Sequence, residues 1–292
     1  MPEKYYGMDE NGQPTFEGLS QYCPPRNYEL TGRELTLCMD SGYDYTLRFD
    51  RDTVTWGKAG EAQRTDEYVC LKAEEQTYFV NAEIPGVTPR LGISLILDDE
   101  NALVTVIEAR QGMNPKLPFL VENIPHFGAV QVPGQPLNEK RHGFTRDLVG
   151  HAAVWTYSPT FRVTHVYSSE RYYNVTVPAP DHEPTPDELE QRKKQREAFR
   201  GYKEPTEPAL YIRIKEGMYC VAFAEQNLEK FTGPATRGNS LVFLMNFHRM
   251  TDVGRSFGTN AQQLPENYVF GAYGAEIPFP DRFRNMKSAY YM

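Results

Sequence analysis

LTGRELTLCMDSGYDYTLRF at Leu30–Phe49 and LVGHAAVWTYSPTFRVTHVY at Leu148–Tyr167 follow the same plan. Each opens on a Leu-x-Gly turn, enters a short strand-like segment, breaks at a turn and continues into a second segment. In that segment large apolar or aromatic residues alternate with polar ones, as in a β-strand that buries one face. Gly32 and Gly150 stand at the same spacing from it. The chain is therefore predicted to contain two diverged copies of one antiparallel unit.

Two further landmarks follow in the same order. Tyr78–Glu83 resembles Tyr219–Glu225, which is one residue longer, and Gly92–Leu95 resembles Gly238–Leu241. Short strand-like segments separated by Gly, Pro, Asp and Asn make up most of the remainder. About eight such strands per unit fit a closed up-and-down barrel that can hold one small ligand. We expect an all-β chain of two tandem antiparallel lipocalin-like β-barrels with one inserted surface helix.

The domain boundaries follow from proline and helix signals. We expect an N-terminal extension over 1–29, a first barrel over 30–112, a linker over 113–146, a second barrel over 147–260 and an aromatic tail over 261–292. Five prolines in the linker remove backbone donors and discourage both helix and central strand. The capping box Thr185-Pro186-Asp187-Glu188 predicts a surface helix over 186–200. The tail is predicted to pack on a barrel or on a partner chain, which would make a homodimer.

Composition argues against several classes of function. The 292 residues carry a formal net charge of −8, which opposes nucleic-acid phosphates and anionic membrane surfaces. We find no signal-peptide core and no apolar run long enough to cross a membrane, so a cytoplasmic location is expected. The four cysteines and six histidines are scattered, without the spacing of a zinc site. We expect no cofactor, no metal, no nucleic acid and no membrane among the partners.

The second copy carries the candidate binding face. The whole chain has 19 Tyr and 16 Phe residues, and several of them occupy alternating positions in the second copy. Period-two geometry groups the side chains strand by strand: Trp155 with Tyr157, His165 with Tyr167, Arg171 with Tyr173, and Tyr219 at the start of a later strand. If these faces point inward, they enclose a small, aromatic organic ligand. The alternative is that the tyrosines fill a core and that His165 is a core histidine.

Glu225 ends the otherwise apolar strand Tyr219–Ala224. A carboxyl there would be partly desolvated and its pKa raised, which suits a proton donor or acceptor near neutral pH. The alternative, equally weighted, is a structural carboxylate paired with Arg171 or Arg237.

Two families share these patterns. Gly32–Phe49, Tyr78–Glu83, Gly150–Tyr173 and Tyr219–Glu225, joined by a proline-rich bridge, resemble the two-domain molybdenum cofactor biosynthesis protein F (MoaF-like) family, whose halves are calycin-type barrels. This resemblance runs from about Leu30 to Gly258 and implies a fold more than a reaction.

The second half alone also resembles the phenolic acid decarboxylases, single calycin barrels that need no cofactor. Tyr157 and Glu225 match a substrate-holding tyrosine and a proton-handling glutamate of that family. Trp155 replaces a second tyrosine. The family's arginine is missing: Asn174 lies nearest its position, and Arg171 lies three residues earlier.

The leading functional hypothesis is a cofactor-independent lyase or isomerase acting on a small aromatic or polyketide-like compound in the second barrel. In it Glu225 moves a proton, Tyr157 and Tyr167 orient an oxygen, Trp155 and Tyr173 stack, and Arg171 meets a carboxylate. One alternative is a non-catalytic ligand-binding, carrier or accessory protein of the MoaF-like type. Another is a structural dimer module that uses the aromatic tail.

Overall fold

The computed structural model describes residues 21–116, 118–159, 161–176, 185–187, 190, 206–225, 239–259 and 265–284. Within them the chain forms two nine-stranded antiparallel sheets. The first sheet contains β1 (Glu34–Met39), β2 (Asp44–Phe49), β3 (Thr53–Lys58), β4 (Arg64–Glu67), β5 (Val69–Glu74), β6 (Thr77–Ile84), β7 (Arg90–Asp98), β8 (Leu103–Gln111) and β9 (Val121–Val130). The second contains β10 (Gly143–Phe144), β11 (Ala152–Ser158), β12 (Phe161–Val166), β13 (Tyr172–Thr176), β14 (Thr206–Lys215), β15 (Met218–Ala224), β16 (Ser240–Asn246), β17 (Thr251–Thr259) and β18 (Pro265–Ile277), followed by helix α1 (Asp281–Arg284).

The second sheet closes on itself as an eight-stranded barrel. Strand β14 pairs with β13 over its first residues, Thr206–Pro208, and with β15 from Ala209 onward. From β14 the order of paired strands around the barrel is β13, β12, β11, β18, β17, β16 and β15. Strand β10 pairs with a later part of β14. This arrangement confirms the expected antiparallel barrel.

The first sheet rolls up by the same device. Its two end strands, β4 and β5, are separated only by Tyr68; β4 pairs with β3 and β5 pairs with β6. The Tyr68 side chain is buried, and its hydroxyl donates to the Asp50 carbonyl at 2.9 Å. The two ends of the sheet therefore meet at Tyr68, as the two halves of β14 meet in the second barrel.

The duplication extends to individual hydrogen bonds. The Gly32 N–H donates to the Phe49 carbonyl at 2.7 Å, and the Gly150 N–H donates to the Tyr167 carbonyl at 3.0 Å. Both glycines have a positive φ, 81° and 92°, which favours glycine over residues with a side chain. The Leu-x-Gly turns found in the sequence are thus the same structural turn at the start of each barrel.

Two predicted boundaries differ from the structure. Residues 121–130, expected in the linker, form β9 between β1 and β8. Pro125 is tolerated because β1 pairs only with Gly128–Val130, so β9 has no β1 neighbour at the proline. Residues 265–277, expected in the tail, form β18 between β11 and β17. The Phe270 ring on β18 is fully buried in the second barrel and is not available to a partner chain.

The inserted helix is described only in part. Pro186 and Asp187 are helical and exposed, and residue 190 is helical as well. The rest of the predicted span 186–200 lies outside the described residues, as does Arg237, one of the partners considered for Glu225.

The barrels pack against each other through the outer faces of β5–β8 and β14–β18, which share one apolar cluster. Phe257 on β17 lies where Gly92 on β7 has no side chain; a Cβ there would fall 2.7 Å from the ring. Arg255 is buried in the same seam and donates from Nε to Ser94 Oγ at 2.5 Å. Glycine at position 92 thus permits the close approach of the two sheets.

Candidate functional site

The structure brings together five of the predicted binding residues inside the second barrel. They are Trp155, Tyr157, His165, Tyr167 and Tyr173, and each is at most 2% exposed. Four lie on the inward faces of β11, β12 and β13, and Tyr167 directly follows β12. The alternation read from the sequence therefore assigned these side chains to the correct face.

These rings contact one another and five phenylalanines. The Tyr173 and Phe223 centroids lie 4.2 Å apart, and Phe223 and Phe243 stack at 5.4 Å. Phe247 lies 6.0 Å from Trp155 at the other end of the cluster. The sequence analysis expected a cavity among the tyrosines. Instead, large rings on facing strands fill this part of the barrel, as side chains do in a packed eight-stranded barrel.

His165 lies inside this ring cluster, with centroids 5.3 Å from Phe243 and 5.4 Å from Tyr173. Burial lowers its pKa to about 3, because the apolar surroundings disfavour the imidazolium. The imidazole is neutral at physiological pH. This arrangement fits the core-histidine alternative.

Tyr157 binds a carboxyl that the sequence analysis missed. Its hydroxyl donates to Asp252 Oδ2 at 3.1 Å, and both side chains are buried. Burial raises the pKa of Asp252 to about 7, although the bond from Tyr157 opposes the rise. Asp252 alternates with Gly254 and Ser256 along β17, a small and polar pattern that normally marks the solvent face. The pair can hold or release a proton near neutral pH.

Glu225 lies at the end of the second barrel where β15 stops. Its backbone N–H donates to the Asn239 carbonyl at 2.8 Å, which extends the β15–β16 ladder by one residue. Desolvation raises the pKa of its carboxyl well above the usual range, and the charges of Glu207 and Glu266 raise it further. Glu225 thus favours the protonated state.

Glu207 and Glu266 were also missed in the sequence. Each precedes an inward-facing residue by two positions, Ala209 on β14 and Tyr268 on β18, so both carboxyls lie on the inner face. Glu207 is fully buried, and burial raises the pKa of Glu266. Glu207, Glu225 and Glu266 thus form a cluster of three carboxyls at this end of the second barrel. Like charges this close cannot all ionise at neutral pH without a large cost.

Glu83, the first-copy counterpart suggested by the sequence, lies elsewhere. It sits on the outer face of β6 and forms a two-bond ion pair with Arg90, at 2.6 and 2.7 Å. Because Tyr219–Glu225 is one residue longer than Tyr78–Glu83, the two glutamates fall on opposite faces of their sheets. Of these two glutamates, Glu225 of the second barrel is the one that faces inward.

The remaining two predicted binding residues do not join the ring interior in the same way. Tyr219 is partly buried, and its ring lies 5.7 Å from Phe247. Arg171 is exposed and precedes β13, so it does not share the inward face of Tyr173. It lines a cleft on the outside of the barrel.

Within the described residues no group of three His, Cys, Asp or Glu side chains is arranged to hold a metal ion. No helix in the part of the chain that the structure describes combines the length and hydropathy needed to span a bilayer.

Comparison with known protein families found a match in the first barrel. Residues 14–112 match the family model of the MoaF N-terminal domain. No curated protein was found to match the chain. The matched residues include β1–β8 of the first barrel, and the second barrel repeats their strand order. The match agrees with the resemblance read from the sequence and shows that the first barrel is similar to the MoaF N-terminal domain.

Proposed function

We propose that the second barrel binds a small organic compound at the end where Glu225 lies, and that Glu225 transfers a proton in a lyase or isomerase reaction without a cofactor. The observation that carries this proposal is the raised pKa of the inward-facing Glu225 beside Glu207 and Glu266. A carboxyl that keeps its proton at neutral pH can donate it to carbon or oxygen and recover it later.

The surroundings of Glu225 favour an aromatic or polyketide-like ligand. Tyr173 and Tyr268 both lie close enough to interact with the Glu225 charge, and burial raises the pKa of each hydroxyl, so both are neutral donors. Their rings offer apolar faces and their hydroxyls can bind a ligand oxygen. The resemblance of Tyr157 and Glu225 to residues of phenolic acid decarboxylases is a further reason to test phenolic acids.

Tyr157 would act with Asp252 in this proposal. Their hydrogen bond makes a second proton-holding pair in the same barrel. Trp155, His165, Tyr167 and Tyr219 would then form the wall that fixes the position of Tyr157 and Tyr173.

The test starts from native mass spectrometry of small molecules that co-purify with the protein, followed by assays of those compounds and of a phenolic acid panel. Glu225→Gln preserves the shape of the side chain and removes its proton. General acid–base catalysis contributes roughly 10²–10⁴-fold, so we expect turnover to fall by about that factor while binding persists. Glu61→Gln, an exposed change in the first barrel, is the control. Undiminished turnover in Glu225→Gln would rule out the proton-transfer role.

A non-catalytic ligand-binding or carrier protein is the second candidate. A series of ring contacts runs from Trp155 through Phe247, Tyr167 and His165 to Phe243. Such a packed wall suits a carrier as well as an enzyme. In this case a co-purified compound would be recovered unchanged after prolonged incubation, and Glu225→Gln would alter affinity alone.

A further inference from the structure

We propose that a cleft between the two barrels is a separate binding site for a small amphipathic monocarboxylate. The cleft has a volume of about 840 Å³, which lies within the range of small-molecule sites. The first barrel contributes the start of β9, and the second contributes β10, the start of β13 and the adjoining parts of β14 and β15.

One wall of the cleft is apolar and belongs to the outside of the second barrel. Ala222 and Ala224 line it, and they alternate along β15 with Val221 and Phe223, which belong to the interior cluster. Leu210 on β14 adds to the same wall. Ala209, Tyr211 and Phe223 of the interior cluster also line the cleft, whereas Glu225 is not among its lining residues. The two sites therefore differ in the residues that line them.

An aromatic side chain stands at the cleft on β10. Phe144 is 64% exposed, which is unusual for so large an apolar group, and its ring meets Phe127 of the first barrel edge-on at 5.6 Å. This contact holds the ring in place beside the cleft. Its free face can cover an apolar ligand.

Among the described residues, the charged groups that line the cleft leave one cation without a carboxylate. Arg146 pairs with Glu170 at 3.2 Å, and both line the cleft. The Arg171 guanidinium forms no ion pair with any side chain in the described ranges. A guanidinium binds a carboxylate through two parallel hydrogen bonds, so Arg171 is suited to the ligand's anionic end.

The wall from the first barrel limits the ligand to one negative charge. Glu122 lies there, exposed, with Asn123 beside it. A second anionic group would be repelled by Glu122, whereas a hydroxyl could donate to its carboxylate. A hydroxyaromatic or hydroxyaliphatic monocarboxylate satisfies both ends.

Isothermal titration of the purified full chain with 4-hydroxybenzoate, 4-hydroxycinnamate and decanoate tests the site. We expect at least one to bind, its methyl ester to bind about tenfold more weakly, and Arg171→Met to cause a similar loss, as expected for one charge-assisted pair. Arg48→Met, at another exposed arginine on β2, should leave affinity unchanged. Leu210→Trp fills the cleft and should abolish binding.

Two outcomes would overturn the proposal: no binding of any probe at millimolar concentration, or equal affinity in wild type, Arg171→Met and Leu210→Trp. Glu225→Gln separates this site from the barrel site. Binding that is lost in Glu225→Gln and kept in Arg171→Met would place the probe in the barrel, which would refute the cleft site and leave the proposed function standing.

Discussion

Asp252→Asn should stabilise the protein, and the gain should grow with pH. The carboxyl is 2% exposed and burial raises its pKa from 3.8 to about 7. A carboxyl whose pKa is higher in the folded state destabilises folding once it ionises. The cost is absent below the unfolded pKa, grows as pH rises, and is complete above the folded pKa. Asparagine removes this cost and still offers an oxygen to the Tyr157 hydroxyl.

The magnitude follows from the two pKa values. Each pH unit between them changes the free energy of unfolding by about 1.36 kcal/mol. From pH 5 to pH 8 the stability advantage of Asp252→Asn over wild type should therefore grow by roughly 3 kcal/mol. Urea denaturation of both proteins at the two pH values measures it.

The control is Asp44→Asn, a change at an exposed position of β2. Its stability difference from wild type should stay constant within about 0.5 kcal/mol over the same range. If the Asp252→Asn difference also stays constant, the Asp252 carboxyl does not titrate in this range and the account of the Tyr157 pair is wrong.

Three further predictions concern the interior and the seam. Phe257→Ala should lower the free energy of unfolding by about 3–5 kcal/mol, since the ring is fully buried between the barrels; urea denaturation measures it, and a loss under 1 kcal/mol would contradict the packing. Tyr157→Phe should raise the pKa of Asp252, because it removes a hydrogen bond that stabilises the Asp252 carboxylate. Carbon NMR of labelled aspartate measures the pKa, and a lower pKa in the variant would contradict the hydrogen bond between Tyr157 and Asp252. In the native protein a disulfide reagent should label half-buried Cys38 first, and the other three thiols only on unfolding, since all three are buried and burial raises their pKa; equal rates for all four, followed by mass spectrometry, would contradict their burial.

The sequence was informative where period two and turn chemistry act locally. The turns at Gly32 and Gly150 were predictable because a positive φ favours glycine. The burial of Trp155 and Tyr167 followed from alternation along β11 and β12. Both kinds of inference need only neighbouring residues.

Other features depend on partners far along the chain. Whether side chains on facing strands leave a cavity depends on their combined volume. Phe223, Phe243 and Phe247 occupy the space between the predicted binding residues. Pro125 suggested a linker, but β9 lacks the neighbour whose bond the proline would break. Asp252 resembled a surface residue because the positions that share its face of β17 are small or polar, Gly254 and Ser256.

The central claim is that the pKa of Glu225 inside the second barrel lies well above that of an ordinary glutamate. Carbon NMR of protein labelled at the glutamate δ-carbon, titrated with pH in wild type and in Glu225→Gln, measures this directly. The account predicts one glutamate carboxyl resonance that titrates at clearly higher pH than the others in wild type and is absent from the variant. A titration in which every glutamate of the wild-type protein ionises near pH 4 to 5 would contradict it.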